Sequence, residues 1–375
     1  MTVKRPDVLV VGAGVIGCSV AYALAKRGAS VTVLERDTPG GVTSRASAGM
    51  LAPTAEGLPA GPLLDLALRS LAMFPSHAAA LLEDGGVDVE YSPSGVLLPA
   101  YTDEVAAELR ARANSGQEGL RWLSRAEALE REPLLEPSLH GALFQPNEGH
   151  VHPVRLTDGL TQAAARRGAA FHFGVEVDGL VRQGNRVAGV RTGGTEWHAG
   201  AVVVAAGSWS GALARWAGVA VDVQPVRGQV VSLRVVPQPI RSVVFGRPGY
   251  LVPRRDGTLL LGASQERVGF ENRATAGNLA MLLEAGKRLV PVLEQATFLG
   301  TWSGLRPGSP DEAPILGPAP GLEGLALATG HFRNGILLSA ITGELMAEYL
   351  LYGKAKPLEA FSVERFSEKQ DKRKS

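Results

Sequence analysis

The sequence predicts an α/β chain, α+β overall, in which a doubly wound parallel-sheet domain is joined to a second domain built on an antiparallel sheet. Three observations predict it. The N-terminus reads strand, glycine turn, helix, strand and acid, from Val8 to Glu35. The run Ala201-Val-Val-Val-Ala-Ala-Gly207 is wholly apolar and ends in glycine, as does a strand covered on both faces. From 222 to 300 alternating segments are separated by Pro, Gly and Arg-Asp-Gly turns, the pattern of antiparallel strands.

The first element is a Rossmann-like dinucleotide site. Gly12 permits a tight turn, Gly14 lets the backbone approach a pyrophosphate, and Gly17 lets helix and strand pack closely. The N–H groups of the first helical turn, at Val15 and Ile16, and the helix dipole behind them favour an anion. Glu35, followed by Arg36, stands where a carboxylate binds ribose hydroxyls. The next stretch, Thr43-Ser-Arg-Ala-Ser-Ala-Gly49, is poor core material and suits a backbone lying close to a flat ligand.

Helical spacing of Leu63, Leu64, Leu66, Ala67, Leu71, Phe74 and Leu81 predicts a helix over 61–84. Short strands are expected at 88–91, 95–99 and 141–145, with helices at 102–115 and 124–130. Pro153 opens a helix to 167, and strands follow over 170–192. Strands at 223–236, 241–246, 250–254 and 258–263 precede a helix near 276–290, and a last helix spans 335–352. At 375 residues the chain exceeds the usual reach of one core. The predicted division is 1–85, 150–220 and 300–366 for cofactor, 86–149 and 221–299 for substrate, and a flexible tail at 367–375.

A net charge of +1 provides no field for nucleic acid or an anionic membrane. The single cysteine, Cys18, excludes an intramolecular disulfide and reads as a small packed residue rather than a reactive thiol. His150 and His152 lack further ligands at metal spacing, so no metal is expected. No leader and no 18-residue apolar run is visible, which predicts a cytoplasmic protein without a membrane partner.

Two later segments narrow the cofactor. Val202-Val-Val-Ala-Ala-Gly-Ser-Trp-Ser210 brings Ala206, Gly207 and Trp209 to a strand end, which is weak evidence alone. Ala328-Thr-Gly-His-Phe-Arg-Asn-Gly-Ile-Leu-Leu338 again runs strand, glycine turn and helix start, with Arg333 and Asn334 at the turn. A helix N-terminus there suits a flavin edge that becomes negative on reduction.

With Ala46-Ser-Ala-Gly-Met-Leu-Ala52, Gly249-Tyr-Leu-Val-Pro253, Gly262-Ala-Ser264, Val268-Gly-Phe270 and Trp302-Ser-Gly-Leu-Arg-Pro-Gly308, these segments resemble the D-amino acid oxidase superfamily of FAD-dependent amine oxidases. Within it, the chain is similar to the glycine oxidases of bacterial thiamine synthesis, from about 6 to 366. The resemblance implies an FAD enzyme that oxidises glycine or another small amino acid to its imine, with dioxygen as acceptor and hydrogen peroxide as product. It implies a homo-oligomer and leaves open a handover of product to thiazole synthase. With no cysteine in the C-terminal half, FAD is expected without a covalent link.

The site residues follow from residue chemistry and from this resemblance. Arg306, between Gly304-Leu305 and Pro307-Gly308, is the best carboxylate clamp, although most arginines are surface residues. Tyr250 can donate to the same carboxylate, or serve as a core tyrosine. The resemblance gives the backbone carbonyl of Arg333 to the substrate amine. Met50 lines the pocket or packs in the core. The resemblance also implies cofactor contacts at Arg36, Ser44, Ala48, Gly49, Met50, Val177, Gly335, Ile336 and Leu337, beside the glycine-turn residues. No general base stands in these motifs, which fits hydride transfer set up by positioning. Arg45 stands where the family commonly has a small residue and Arg267 where it frequently has an acid, and Gln265 falls at a variable position near the substrate; these bear on substrate preference. A D-amino acid or sarcosine oxidase, a quinone-linked dehydrogenase and a flavin-binding protein without turnover are the other readings.

Overall fold

The computed structural model describes residues 5–38, 40–247 and 249–366; the expected tail at 367–375 lies outside them. In chain order it gives β1 (Val8–Val11), α1 (Val15–Lys26), β2 (Val31–Glu35), α2 (Gly41–Ala46), β3 (Met50–Leu51) and α3 (Pro62–Gly85). Next come β4 (Val96–Ala100), α4 (Asp103–Ala113), β5 (Arg121–Ser124), α5 (Arg125–Arg131), β6 (Gly141–Gln145) and β7 (Gly149–His150). Then α6 (Pro153–Arg166), β8 (Ala170–Phe173), β9 (Gly179–Gln183), β10 (Arg186–Thr192), β11 (Thr195–His198), β12 (Ala201–Val204) and α7 (Ser210–Trp216) follow. The chain continues through β13 (Gln224–Arg234), β14 (Val243–Phe245), β15 (Tyr250–Pro253), β16 (Thr258–Gly262), α8 (Ala276–Leu289) and β17 (Thr297–Gly308). It closes with β18 (Ile315–Pro318), β19 (Leu325–Thr329) and α9 (Gly335–Tyr352).

One sheet has the order β18-β19-β12-β1-β2-β8 and is parallel except for β18. Alternation along β1 splits its side chains between two cores. Val8 and Val10 pack with α1, α3, α6 and α9, while Leu9 and Val11 pack with β10 and α7. The second sheet has the order β17-β13-β16-β15-β14-β4-β6-β5 and is antiparallel except for β14 beside β4. Leu97, Leu251 and Leu261 face a core with α8, whereas Val96, Val252 and Leu260 face the segment 48–55. The open face of this sheet approaches the C-terminal ends of β1, β12 and β19.

The structure corrects several expectations. Residues 88–91 form no strand: Glu90 has φ of 54°, and the nearest pairing is a single bridge from Ser92 to His150. The segment 297–308 is a twelve-residue strand, although Gly300, Gly304, Pro307 and Gly308 lower its β propensity. Its order comes from β13, with which it pairs from Arg234↔Thr297 to Gln224↔Gly308. The stretch after Gly40, for which the sequence predicts no element, contains the short helix α2. Phe332–Tyr352 is long and apolar enough to cross a membrane by composition, contrary to the expectation of no such run. It packs against α1 and α3, and Ser339, Thr342 and Met346 are buried in the core.

Helices α1 and α9 approach closely at Gly343, where an added Cβ would lie 2.6 Å from the Ser19 carbonyl oxygen. Gly343→Ala is expected to cost about 1–3 kcal/mol by overpacking. A lowered thermal midpoint in calorimetry checks this.

Candidate active site

A cleft of about 560 Å³ runs between the two sheets, within the range of small-molecule and cofactor sites. Its first arm begins at the turn after β1. Gly12 has φ of 106°, and a Cβ there would lie 2.6 Å from the Ala205 carbonyl oxygen. A Cβ on Gly17 would collide with the Gly12 carbonyl, so Gly17 shapes the turn from behind and does not reach the cleft. Gly14 caps α1 without a side chain, and the free space above it is lined by Ser44, whose hydroxyl accepts from Val15 N at 3.0 Å. The buried Glu35 carboxylate accepts from Ala13 N at 2.7 Å and Asp37 N at 2.8 Å. Each carboxylate oxygen keeps acceptor capacity for a hydroxyl. Arg36 stacks on Trp209 with its Cζ 4.5 Å from the ring centroid.

Ile16, Ala48, Gly49, Met50, Val177, Ala206 and Gly207 line this arm, and Gly335 and Ile336 bring the start of α9 to it. Asn334 and Leu337 do not line the cleft: both are buried, Leu337 in the helical core. Arg45 also stays off the wall. It pairs with Asp158 at 3.1 Å, and its stem lies against Gly40. Arg267 is exposed, and Gln265 lines the cleft.

The second arm is built by paired strands. Val226 on β13 faces Arg306 on β17, and two residues on Gly228 faces Gly304. Any Cβ on Gly228 would collide with the Arg306 guanidinium, which lies flat across this glycine. Arg306 Nη1 donates to the Ser264 carbonyl at 3.0 Å. The same device recurs on β15 and β16: Tyr250 faces Gly262, and a Cβ there would lie 2.6 Å from the tyrosine oxygen. Burial lowers the Arg306 pKa and raises that of Tyr250, so at neutral pH the site holds a guanidinium beside a neutral phenol that can donate.

Glu56 is the residue that sequence reasoning missed. Its carboxylate, 8% exposed, lies 3.6 Å from Arg333 Nη1. Burial raises its pKa, opposed by Arg333 and Arg306. Arg333 therefore has an acid partner. Among the described residues no carboxylate lies within ion-pair distance of Arg306. A lone acid in the small, Pro-bracketed run Ala52 to Ala60 was the available signal. The loop is clasped on both sides. Glu148, 1% exposed, accepts from Thr54 N at 2.5 Å and Ala55 N at 3.0 Å, and Arg112 Nη2 donates to their carbonyls at 2.8 and 3.0 Å. At the turn before α9, Phe332 holds φ of 46°, a strained value for a bulky residue.

Among the described residues no three His, Cys, Asp or Glu side chains form a metal cluster. His150 is buried on β7, and His152 caps α6 by accepting from Arg155 N. Cys18 is buried against Thr161 and the Ala13 carbonyl; burial, opposed by the Thr161 hydrogen bond and aided by Glu35 and Asp158, pushes its thiol up to about 12.

Residues 7–349 match the family model described as FAD dependent oxidoreductase. The chain is 39% identical to a glycine oxidase of Geobacillus kaustophilus over 92% of each chain. The crystal structure of glycine oxidase from that organism superposes with a TM-score of 0.91, covering 96% of this chain and 99% of the other at 37% identity. A bifunctional ThiO/ThiG protein of Trichormus variabilis is 36% identical over 94% of this chain, which spans 54% of that longer protein. The hydrogen cyanide synthase subunit HcnC of Pseudomonas aeruginosa is 35% identical over 94% of each.

Burial pushes the Glu148 carboxyl from 4.5 up to about 7. Between those values the folded state keeps a proton that the unfolded chain has released, so stability falls as pH rises through this window. The loss is expected to reach about 3 kcal/mol. Urea unfolding at pH 4.5 and 7.5 checks it, because Glu148→Gln should lack this component of the fall.

Proposed function

Because the chain belongs to the FAD-dependent oxidoreductase family, we propose that it oxidises glycine, or another small amino acid, to the imine. The imine hydrolyses to the 2-oxo acid and ammonia, and dioxygen yields hydrogen peroxide. The observation that carries this reading is the asymmetry of the two cleft arginines. Glu56 lies 3.6 Å from Arg333 Nη1, whereas Arg306 is held by the Ser264 carbonyl and by a hydrogen bond with Tyr250, with no carboxylate within ion-pair distance among the described residues. A desolvated guanidinium without an acid is a receptor for a carboxylate.

The residues present fit FAD. The small-residue wall at Gly12 and Gly14 leaves room for a pyrophosphate at the α1 N-terminus, and Glu35 retains acceptors for ribose. Gly12, Gly14, Val15, Ile16, Ser44 and Ala206 would hold the phosphate and ribityl portions, Glu35 and Arg36 the adenosine end, and Ala48 to Met50 the ring. Gly17, Asn334 and Leu337 would support this cradle from behind. When bound, FAD supplies the two-electron acceptor for the substrate α-C–H and passes the electrons to dioxygen.

This chain's own work is positioning. The Arg306 fork takes the carboxylate, and the Tyr250 hydroxyl donates to it. The Arg333 carbonyl takes the amine. The protein excludes water by seating these groups between the sheets, where electrostatic contacts strengthen. Glu56 acts as the charge partner of Arg333, which keeps the second arginine from competing for the carboxylate. Functionally, 1–85, 150–220 and 300–366 form the cofactor part and 86–149 and 221–299 the substrate part, with β17 crossing between them. The ThiO/ThiG relative supports placing the product in thiamine thiazole synthesis.

Anaerobic glycine should bleach the visible flavin band of the purified holoprotein, and air should restore it with peroxide. Glyoxylate and ammonia, rather than cyanide, are the expected products. Turnover of glycine, sarcosine, D-alanine and D-proline ranks substrate size. Arg306→Ala removes the clamp, a loss of about 2–5 kcal/mol in comparable charge pairs, so kcat/KM for glycine should fall about thirty- to several-thousandfold. A flavin band that glycine leaves intact contradicts the reading.

A further inference from the structure

A second guanidinium, Arg254, is also withdrawn from water, with Glu90 and Asp256 acting on it only from beyond ion-pair distance. It directly follows β15 and is 5% exposed. Its Nη2 donates to the Ala48 carbonyl at 2.6 Å, and its Nη1 donates to the Val151 carbonyl at 2.9 Å. Nη1 also lies 3.3 Å from His150 Nδ1. Among the described residues no carboxylate lies within ion-pair distance of it. Burial of a cation in this way is costly unless something repays it. His150 adds no second positive charge, because burial and Arg254 itself push its pKa down to about 3 and keep it neutral.

The contacts of Arg254 lead to the cleft. Ala48, Gly49 and Met50 line it, and Met50 pairs with His150 across the β3–β7 ribbon. Val151 N donates to the Gly49 carbonyl at 2.9 Å. Gly49, at φ of 73°, has no room for a Cβ against the Val151 carbonyl, the oxygen that Arg254 also grips. The ribbon is thus held by its own backbone pairing and, from behind, by the Arg254 side chain. Side chains alternate along a strand, so Tyr250, Val252 and Arg254 share one face. Strand β15 delivers a hydroxyl to the substrate arm at one end and a cation beneath the Ala48–Met50 floor at the other.

We propose that Arg254 is a positioning residue of the cleft, fixing the Ala48–Met50 floor through its carbonyls and placing under it a positive charge, not paired with any carboxylate, that favours the reduced cofactor. A neutral donor could satisfy both carbonyls; only a cation also offsets the negative charge that reduction brings into the cleft. Its pKa, lowered by burial to about 10, leaves it charged at neutral pH.

The inference rests on the flavin reading above, which bleaching of the parent holoprotein by glycine secures by itself. The test compares the midpoint potential of bound FAD, by anaerobic dye equilibration, in the parent and in Arg254→Lys, Arg254→Gln and Arg254→Met. Gln keeps amide donors for the carbonyls but no charge, and Lys keeps the charge. The potential should shift negative in Gln and Met and stay near the parent in Lys. Loss of FAD from both neutral variants, with retention in Lys, supports the same conclusion. A Gln variant that holds FAD at the parent potential overturns it, as does a Lys variant as defective as Met.

Discussion

A guanidinium held between two sheets with no acid to neutralise it is the interaction on which the site depends. Arg306 gives up most of its hydration and receives one backbone carbonyl and the Tyr250 oxygen in return. That imbalance is a binding energy in waiting, because a carboxylate restores what burial removed. The strands around it are arranged to keep it so. Gly228 leaves the plane free for the guanidinium, Gly262 does the same for the Tyr250 ring, and the antiparallel registers bring both to one end of the cleft.

The other charges in the cleft make sense against this imbalance. Arg333 is paired with Glu56, and Glu56 stands on a loop clasped by Glu148 on its N–H groups and Arg112 on its carbonyls. A pocket with two free cations would bind an anion in two places. Pairing one of them leaves a single orientation, which is what transfer from the α-carbon requires.

Much of this architecture was legible in the sequence, because its signals are local. The turn from Gly12 to Gly17 and the acid at Glu35 are fixed by close backbone approach and by helix geometry, and both stand within one βαβ unit. Arg306 could be singled out from its rigid Gly and Pro neighbours and the family resemblance. What escaped was set by distant partners. β17 reads as broken sequence, yet β13 supplies its whole ladder. Glu56 has no motif of its own; its meaning comes from Arg333, far along the chain. Asn334 and Leu337 belong to the right turn, but helix rotation directs them into the core. Residues 88–91 alternate like a strand, but apart from the Val89 carbonyl, which accepts from His152 N at 2.9 Å, they make no ladder before Ser92 reaches His150.

The most direct measurement of the central claim is a crystal structure of the FAD-loaded protein with glycolate, a carboxylate that lacks the amine. The account predicts both carboxylate oxygens on the Arg306 fork, with the Tyr250 hydroxyl donating to one of them and the Arg333–Glu56 pair intact. Glycolate seated on Arg333, or an Arg306 that keeps only the Ser264 carbonyl while the ligand binds elsewhere, would contradict it.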